Sequence, residues 1–170
     1  MCLAGVLESF RIGADDILRR FSRVNLSAAT ARRATQAAGA RLAQQQQAGT
    51  IAIAEKWQAT DFTVEGHSHT VAYLGLDAFC VPIQGKKGAK AEGRMLYTAL
   101  LYTPDKTRSH YLADFDLDRL GSQMRQAAKA LGLDQAHQVI AVTDAGQGIE
   151  ACIHRHFWDD LLCVLDWYHA

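Results

Sequence analysis

Apolar and polar positions change their spacing along the chain, and the second half begins with a β-type pattern. Residues 71–83 and 94–103 form two largely apolar runs, and residues 109–115 form a third, shorter one. A Gly- and Lys-rich stretch at 85–93 and the pair Pro104-Asp105 separate them, which predicts an antiparallel meander of three strands. Because the run 71–83 is almost continuously apolar, we expect its strand to be buried on both faces.

Helical and strand spacing alternate in the residues that follow. From Leu117 to Leu131 the apolar positions step by three and four, and Gly132 ends the predicted helix. Residues 138–144 and 161–165 read as strands, with a helix over 147–157 between them. The order β-β-β-α-β-α-β therefore predicts an α/β fold whose mixed sheet combines the meander with two parallel crossovers.

The first 60 residues have a helical pattern instead. Two short helices are predicted on either side of Gly13, and Ser27 is a suitable N-cap for a third helix that runs to about Leu42. Gln44 to Gln47 read as its frayed end and the start of a linker. We therefore predict a helical region over 1–60 and an α/β core over 66–170.

The third predicted helix has a candidate DNA-binding surface. A short helix, a turn and then a small-residue helix that carries Arg32, Arg33 and Arg41 are compatible with a helix-turn-helix. A simple alanine-rich helical hairpin has the same pattern and stays open as the alternative. Lys86, Lys87 and Lys90 give a second basic segment, a hairpin loop suited to a phosphate backbone.

Charge is balanced overall but separated along the chain, with 18 basic and 18 acidic side chains. Residues 1–50 carry seven basic and three acidic groups, whereas 109–170 carry four and nine. This separation suits a protein that holds a polyanion on basic surfaces and keeps carboxylates elsewhere, although solvated surfaces alone would also produce it.

The composition excludes several classes of protein. Hydrophobic residues make up 49% of the chain, which excludes a largely disordered one. No apolar run approaches the roughly 20 residues that a membrane helix needs, so we expect a cytoplasmic protein with no membrane partner. The four cysteines are widely spaced, and we expect reduced thiols.

Three predicted strands end in a carboxylate after an apolar run: Asp77, Asp144 and Asp166. Open α/β sheets bind ligands at the carboxyl ends of their strands, and acids on adjacent strands can share a divalent cation such as Mg²⁺ or Mn²⁺. Strand-end aspartate is also a common turn and N-cap residue, so capping alone stays open for Asp144 and Asp166.

Three segments give the chain a family resemblance. They are Tyr-Leu-Gly-Leu-Asp-Ala-Phe-Cys-Val-Pro at 73–82, Val-Ile-Ala-Val-Thr-Asp-Ala-Gly at 139–146 and Leu-Asp-Trp-Tyr-His-Ala at 165–170. In this order they resemble a bacterial insertion-sequence transposase of the ISKra type, over about residues 24–170. The resemblance implies a ribonuclease H-like core and DNA transposition at transposon ends and target DNA. It also implies that Asp77 and Asp144 are the first two acids of a D-D-E set, whose metal ions activate water or a DNA 3′ hydroxyl.

The third acid of that set has no match in this chain. In the family it is a Glu in a helical region beyond the strand that corresponds to the one ending at Asp166. Asp166 or Glu150 could take part of its role, and Asp166 is the better placed. We therefore expect a truncated fragment that is weakly active or inactive. The alternative is a non-catalytic remnant that binds DNA, forms homo-oligomers or inhibits an intact transposase.

Overall fold

The computed structural model folds as two compact units, Met1–Ile51 and Ala52–Ala170. The structure describes residues 9–50, 60–64, 66–83, 89–104, 106–144, 146, 148–157 and 161–166; at residues 21 and 60–64 it describes the backbone alone.

The first unit is helical, as predicted, but it has fewer breaks than its sequence suggests. Helix α1 (Phe10–Ile12) continues directly into a π-helical segment (Gly13–Phe21). The predicted break at Gly13 is wrong, because this residue has helical angles of φ −57° and ψ −39°. Glycine weakens a helix by only about 1 kcal/mol, and the burial of Ala14 and Leu18 on the following turns favours continuation.

Helix α2 (Ala28–Gln47) begins where its sequence predicts. The Ser27 hydroxyl accepts a hydrogen bond from the Thr30 N–H at 3.2 Å and so caps the first turn. The predicted fraying at Gln44–Gln47 is wrong, since these good helix formers extend the helix by more than a turn beyond Leu42. At 20 residues α2 is the longest described helix. Neither α2 nor any other helix among the described residues combines the length and the apolar character that a membrane span needs.

The second unit contains every strand and helix predicted for the α/β core, plus one further strand. Its strands are β1 (Thr60–Val64), β2 (His67–Ile83), β3 (Glu92–Tyr102), β4 (Ser109–Asp114), β5 (Gln138–Thr143) and β6 (Leu162–Leu165). Its helices are α3 (Leu117–Leu131), a 3₁₀ turn (Leu133–Gln135) and α4 (Ile149–His156). The predicted alternation of strands and helices after the meander is confirmed.

The sheet is mixed, with strand order β4-β3-β2-β5-β6. Strands β2, β3 and β4 pair antiparallel, and β5 and β6 add in parallel on the other side of β2. This is the arrangement that a meander followed by two crossovers requires. Strand β2 is therefore central, and β5 lies between it and β6.

Strand β1 is the element that the sequence pattern missed. It pairs antiparallel with the start of β2, from Thr60 opposite Val71 to Val64 opposite His67, and Gly66 has a φ of +81° in the turn between them. Strand β2 consequently begins at His67, four residues before its apolar run. This hairpin contains too many polar residues to show the alternation of apolar and polar positions that predicts a strand.

The hydrophobic core lies on one face of the sheet. Ala72, Leu74 and Leu76 of β2 are buried there with residues of β3 and β5, and both α3 and α4 contribute to the same apolar cluster. The alternate residues of β2 are only half-buried or exposed. The prediction that this strand is buried on both faces is therefore wrong, because the described helices of this unit cover one face and leave an apolar second face open.

Helices α3 and α4 pack closely against each other at Gly121. A Cβ atom added at Gly121 would lie 2.3 Å from Cδ2 of His156 and 2.8 Å from Sγ of Cys152. The His156 ring is bonded through Nε2 to Oδ1 of Asp118 at 2.9 Å, and Cys152 donates from Sγ to the Leu117 carbonyl at 3.4 Å. Glycine at 121 is therefore what lets the two helices pack at this distance.

Candidate functional site

The candidate site lies on the open face of the sheet, opposite α3 and α4. Successive side chains of a strand point to opposite faces, so the burial of Leu74 and Leu76 puts Gly75 and Asp77 on the open face. The register then identifies their neighbours: Asp77 is opposite Thr98 of β3, and Gly75 is opposite Leu100 of β3 and Val142 of β5.

The three predicted aspartates form a row across three neighbouring strands. The last paired residues are Leu76 with Thr143 and Thr143 with Leu165. Asp77, Asp144 and Asp166 each directly follow one of those residues. Asp144 and Asp166 come directly after β5 and β6, but the prediction that Asp77 ends its strand is wrong, because β2 continues to Ile83 in its pairing with β3. The Asp166 N–H donates to the Thr143 carbonyl at 2.7 Å, which fixes the backbone at the end of the row. Neighbouring strands are about 4.8 Å apart, so the three residues occupy adjacent positions.

All three aspartates line the same cavity, which has a volume of about 460 Å³. Residues from β2, β3, β4 and β5 and from the turn between β3 and β4 complete the lining: Gly75, Leu76, Thr98, Ala99, Leu100, Tyr102, Lys106, Ser109, Tyr111, Val142 and Thr143. The cavity thus has an acidic end and a floor that is largely apolar.

Local hydrogen bonds hold two of the acids. Oδ1 of Asp77 accepts from the Ala78 N–H at 2.7 Å, and Oδ1 of Asp144 accepts from the Gly146 N–H at 2.9 Å. A Cβ at Gly146 would lie 3.0 Å from Oδ1 of Asp144, so a glycine there accommodates this turn. The bond from the Gly146 N–H to Asp144 is the kind of turn contact that the sequence leaves open as the alternative to a metal role. Each of the two bonds uses one carboxylate oxygen.

The donor atoms of the cavity fit a hard cation. Carboxylates and the hydroxyl-bearing residues Thr98 and Ser109 line it, with no imidazole or thiol among its lining residues. In the described parts of the chain, however, no three His, Cys, Asp or Glu side chains are close enough together to hold one metal ion. A cation here would therefore have at most two aspartates as ligands, with water or substrate oxygens completing its shell, as Mg²⁺ accepts.

Glu150, the other candidate for the third acid, lies elsewhere. It is exposed in the first turn of α4, where its Oε1 is 3.7 Å from Nε2 of His154, and it does not line the cavity. Asp166 does line the cavity. The structure thus groups Asp166 with Asp77 and Asp144, and separates Glu150 from them.

The basic residues predicted to bind DNA are exposed wherever the structure describes them. Arg32, Arg33 and Arg41 are exposed on α2, and Lys90 is exposed just before β3. Arg41 is nine positions after Arg32, which puts the two on opposite sides of α2, so the three arginines do not share one face. Lys86 and Lys87 lie outside the described residues.

Sequence reasoning missed the tyrosines and the lysine of the cavity. Tyr102 stacks on Tyr73 with 5.3 Å between ring centroids and 16° between ring planes. Burial raises the pKa of Tyr102, and Tyr73 and Asp166 raise it further. Tyr111 lies on β4, and Lys106 lies in the turn before it. How close either residue lies to Asp77 depends on the strand register, which the residue pattern alone does not determine.

No model of a known protein family matches this chain, and no curated protein sequence matches it either.

Proposed function

We propose that this protein is a transposase-like enzyme that cleaves or joins DNA phosphodiesters at the cavity, with Asp77 and Asp144 as ligands of Mg²⁺ or Mn²⁺. The observation that carries the proposal is the row of aspartates on three neighbouring strands, with Asp77 inside β2 and with Asp144 and Asp166 directly after β5 and β6; all three line one cavity. The strand order β4-β3-β2-β5-β6 supports a ribonuclease H-like core, because the first acid lies on the central strand and the second on its parallel neighbour.

The proposed reaction is phosphoryl transfer. An oxygen of water or of a DNA 3′ hydroxyl forms a new bond to phosphorus and loses its proton to solvent, and the bond from phosphorus to the leaving oxygen breaks as that oxygen takes up a proton from solvent. When bound, a divalent cation supplies charge stabilisation at the attacking and leaving oxygens. Asp77 and Asp144 hold it through carboxylate oxygens, and Asp166 adds a third negative charge at the same end of the cavity.

A second candidate function is DNA binding without cleavage. It is favoured by the absence, among the described residues, of a three-ligand group for a metal ion. In this case the exposed arginines of α2 and Lys90 hold the phosphate backbone, and the protein inhibits or pairs with an active transposase.

A metal titration together with a DNA nicking assay separates the two functions. We expect Mn²⁺ to raise the Tm of the protein and to support nicking of supercoiled DNA, with both effects lost in Asp77→Asn and Asp144→Asn. Asp166→Asn should weaken both. Nicking that persists at the wild-type rate in Asp77→Asn would refute the proposed site.

Glu150→Gln is the matched control. It removes one carboxylate from an exposed position outside the cavity, so metal binding and nicking should be unchanged. DNA binding with neither a Mn²⁺-dependent rise in Tm nor any nicking would instead establish the second candidate function.

A further inference from the structure

The end of the cavity near β4 has features that a metal site at Asp77 and Asp144 does not require. Tyr111 is 71% exposed on β4 yet lines the cavity, and Lys106 lines it from the turn between β3 and β4. Among the described lining residues, Lys106 is the one with a positive charge. An exposed aromatic ring and a cation beside an acidic site are the two groups that hold single-stranded nucleic acid, by stacking and by charge.

The backbone at Lys106 is held in a left-handed turn beside the cavity. Its φ is +56°, a left-handed value that glycine or asparagine adopts at lower cost than lysine. The turn is held by the Lys106 N–H, which donates to the Thr103 carbonyl at 2.8 Å, and by the Arg108 N–H, which donates to Oγ1 of Thr103 at 3.3 Å. These bonds fix the backbone from which Lys106 lines the cavity.

The floor between these groups and the acids is shallow and apolar. It consists of Gly75, Leu100 and Val142, which lie side by side on neighbouring strands. A Cβ at Gly75 would have ordinary contacts, with Cβ of Leu100 and the Val142 carbonyl both at 3.9 Å. Packing therefore does not require glycine at 75. The missing side chain of Gly75 leaves space in the cavity above the floor.

We propose that this cavity binds one unpaired nucleotide of a DNA strand, with its base against Tyr111 and its phosphate at Lys106. This inference rests on the proposed function, because it takes DNA as the substrate. The volume of about 460 Å³ is that of a site for one small molecule, and a stacked base pair inside a duplex could not enter it. The preferred substrate is therefore a frayed or single-stranded end next to the phosphodiester that reacts.

Fluorescence anisotropy with a labelled oligothymidylate and with a blunt duplex of the same length tests this substrate class. The measurement is made in EDTA, so that it does not depend on metal binding. We expect tighter binding of the single strand by the wild-type protein. Tyr111→Ala should weaken single-strand binding about 10-fold, the usual effect of losing one base stack, whereas Tyr111→Phe should restore most of it.

Lys106 and Gly75 give two independent checks. Lys106→Gln should lower the slope of log K against log salt by about 0.7 and Lys106→Arg should restore it, whereas Lys129→Gln, an exposed charge on α3, should leave it unchanged. Gly75→Val should block single-strand binding while the protein stays folded, because its added atoms enter the cavity and not the core.

The outcomes separate this inference from the proposed function. Equal affinity of Tyr111→Ala and Tyr111→Phe, a wild-type salt slope in Lys106→Gln or full binding by Gly75→Val would each overturn the nucleotide site. Mn²⁺-dependent nicking that is sensitive to Asp77→Asn would survive any of these results. Absence of nicking with a retained single-strand preference would instead overturn the proposed catalysis alone.

Discussion

Substitution of Gly121 by alanine sets two effects of known size against each other. In an open helix, Gly→Ala is stabilising by about 1 kcal/mol. At this position, however, the added Cβ would lie 2.3 Å from Cδ2 of His156 and 2.8 Å from Sγ of Cys152, well inside van der Waals contact. Either α3 and α4 must separate or the His156 ring must rotate and give up its bond to Asp118.

Overpacking of a tight contact costs about 1 to 3 kcal/mol, and the His156 contact falls at the upper end because the ring is held in place. After the gain in helix propensity, we expect Gly121→Ala to lower the free energy of unfolding by about 2 kcal/mol. Urea unfolding followed by far-UV circular dichroism measures this difference.

Two further variants isolate the cause. Gly39→Ala is the matched control in α2, because a Cβ there has no neighbour within 4 Å, and it should be stabilising. Adding His156→Ala to Gly121→Ala should recover at least about 1 kcal/mol in a double-mutant cycle. If Gly121→Ala raises stability as Gly39→Ala does, the close helix approach described here is incorrect.

Two more predictions concern the core and its ion pair. Leu101 is fully buried near the C-terminal end of β3, and Leu101→Ala should lower the free energy of unfolding by about 2 to 5 kcal/mol, whereas Leu42→Ala at an exposed position of α2 should change it little; similar losses would contradict the burial. Asp114→Asn removes the bidentate pair with Arg119 and should cost roughly 1 to 3 kcal/mol at pH 7. Burial alone would raise the pKa of Asp114, but hydrogen bonds from Arg119 and the Asp116 N–H hold it below its ordinary 3.8. The advantage of the wild type over Asp114→Asn is therefore full above about pH 4 and shrinks as the pH falls through the folded pKa; an equal difference at pH 6 and pH 3 in urea unfolding would argue against this pair.

The strands and helices of the α/β core were predictable because their signals are local. The apolar steps from Leu117 to Leu131 and the left-handed Gly132 define α3 at both ends. The three aspartates were also visible, since each follows an apolar run, but β2 continues past Asp77 to Ile83 because its second part pairs with β3 alone. Their position beside one another follows from the parallel crossovers, which the alternation of strands and helices predicts.

The remaining features depend on tertiary context. The burial of β2 on one face was not predictable, because an apolar strand looks the same whether or not a layer covers its second face. Gly13 continues a helix because Ala14 and Leu18 are buried, a non-local reason. The roles proposed for Lys106 and Tyr111 require the register of β4 against β3, and residue spacing does not determine it.

The row of aspartates also has a consequence for the order of folding. Its members come from chain positions 77, 144 and 166, and both junctions between them are parallel pairings that close long loops. Such contacts form late and slowly, so nascent fragments that contain only the meander have no assembled cavity. Any ligand that binds across the row therefore recognises the finished sheet, and it should slow hydrogen exchange throughout β2, β5 and β6 together.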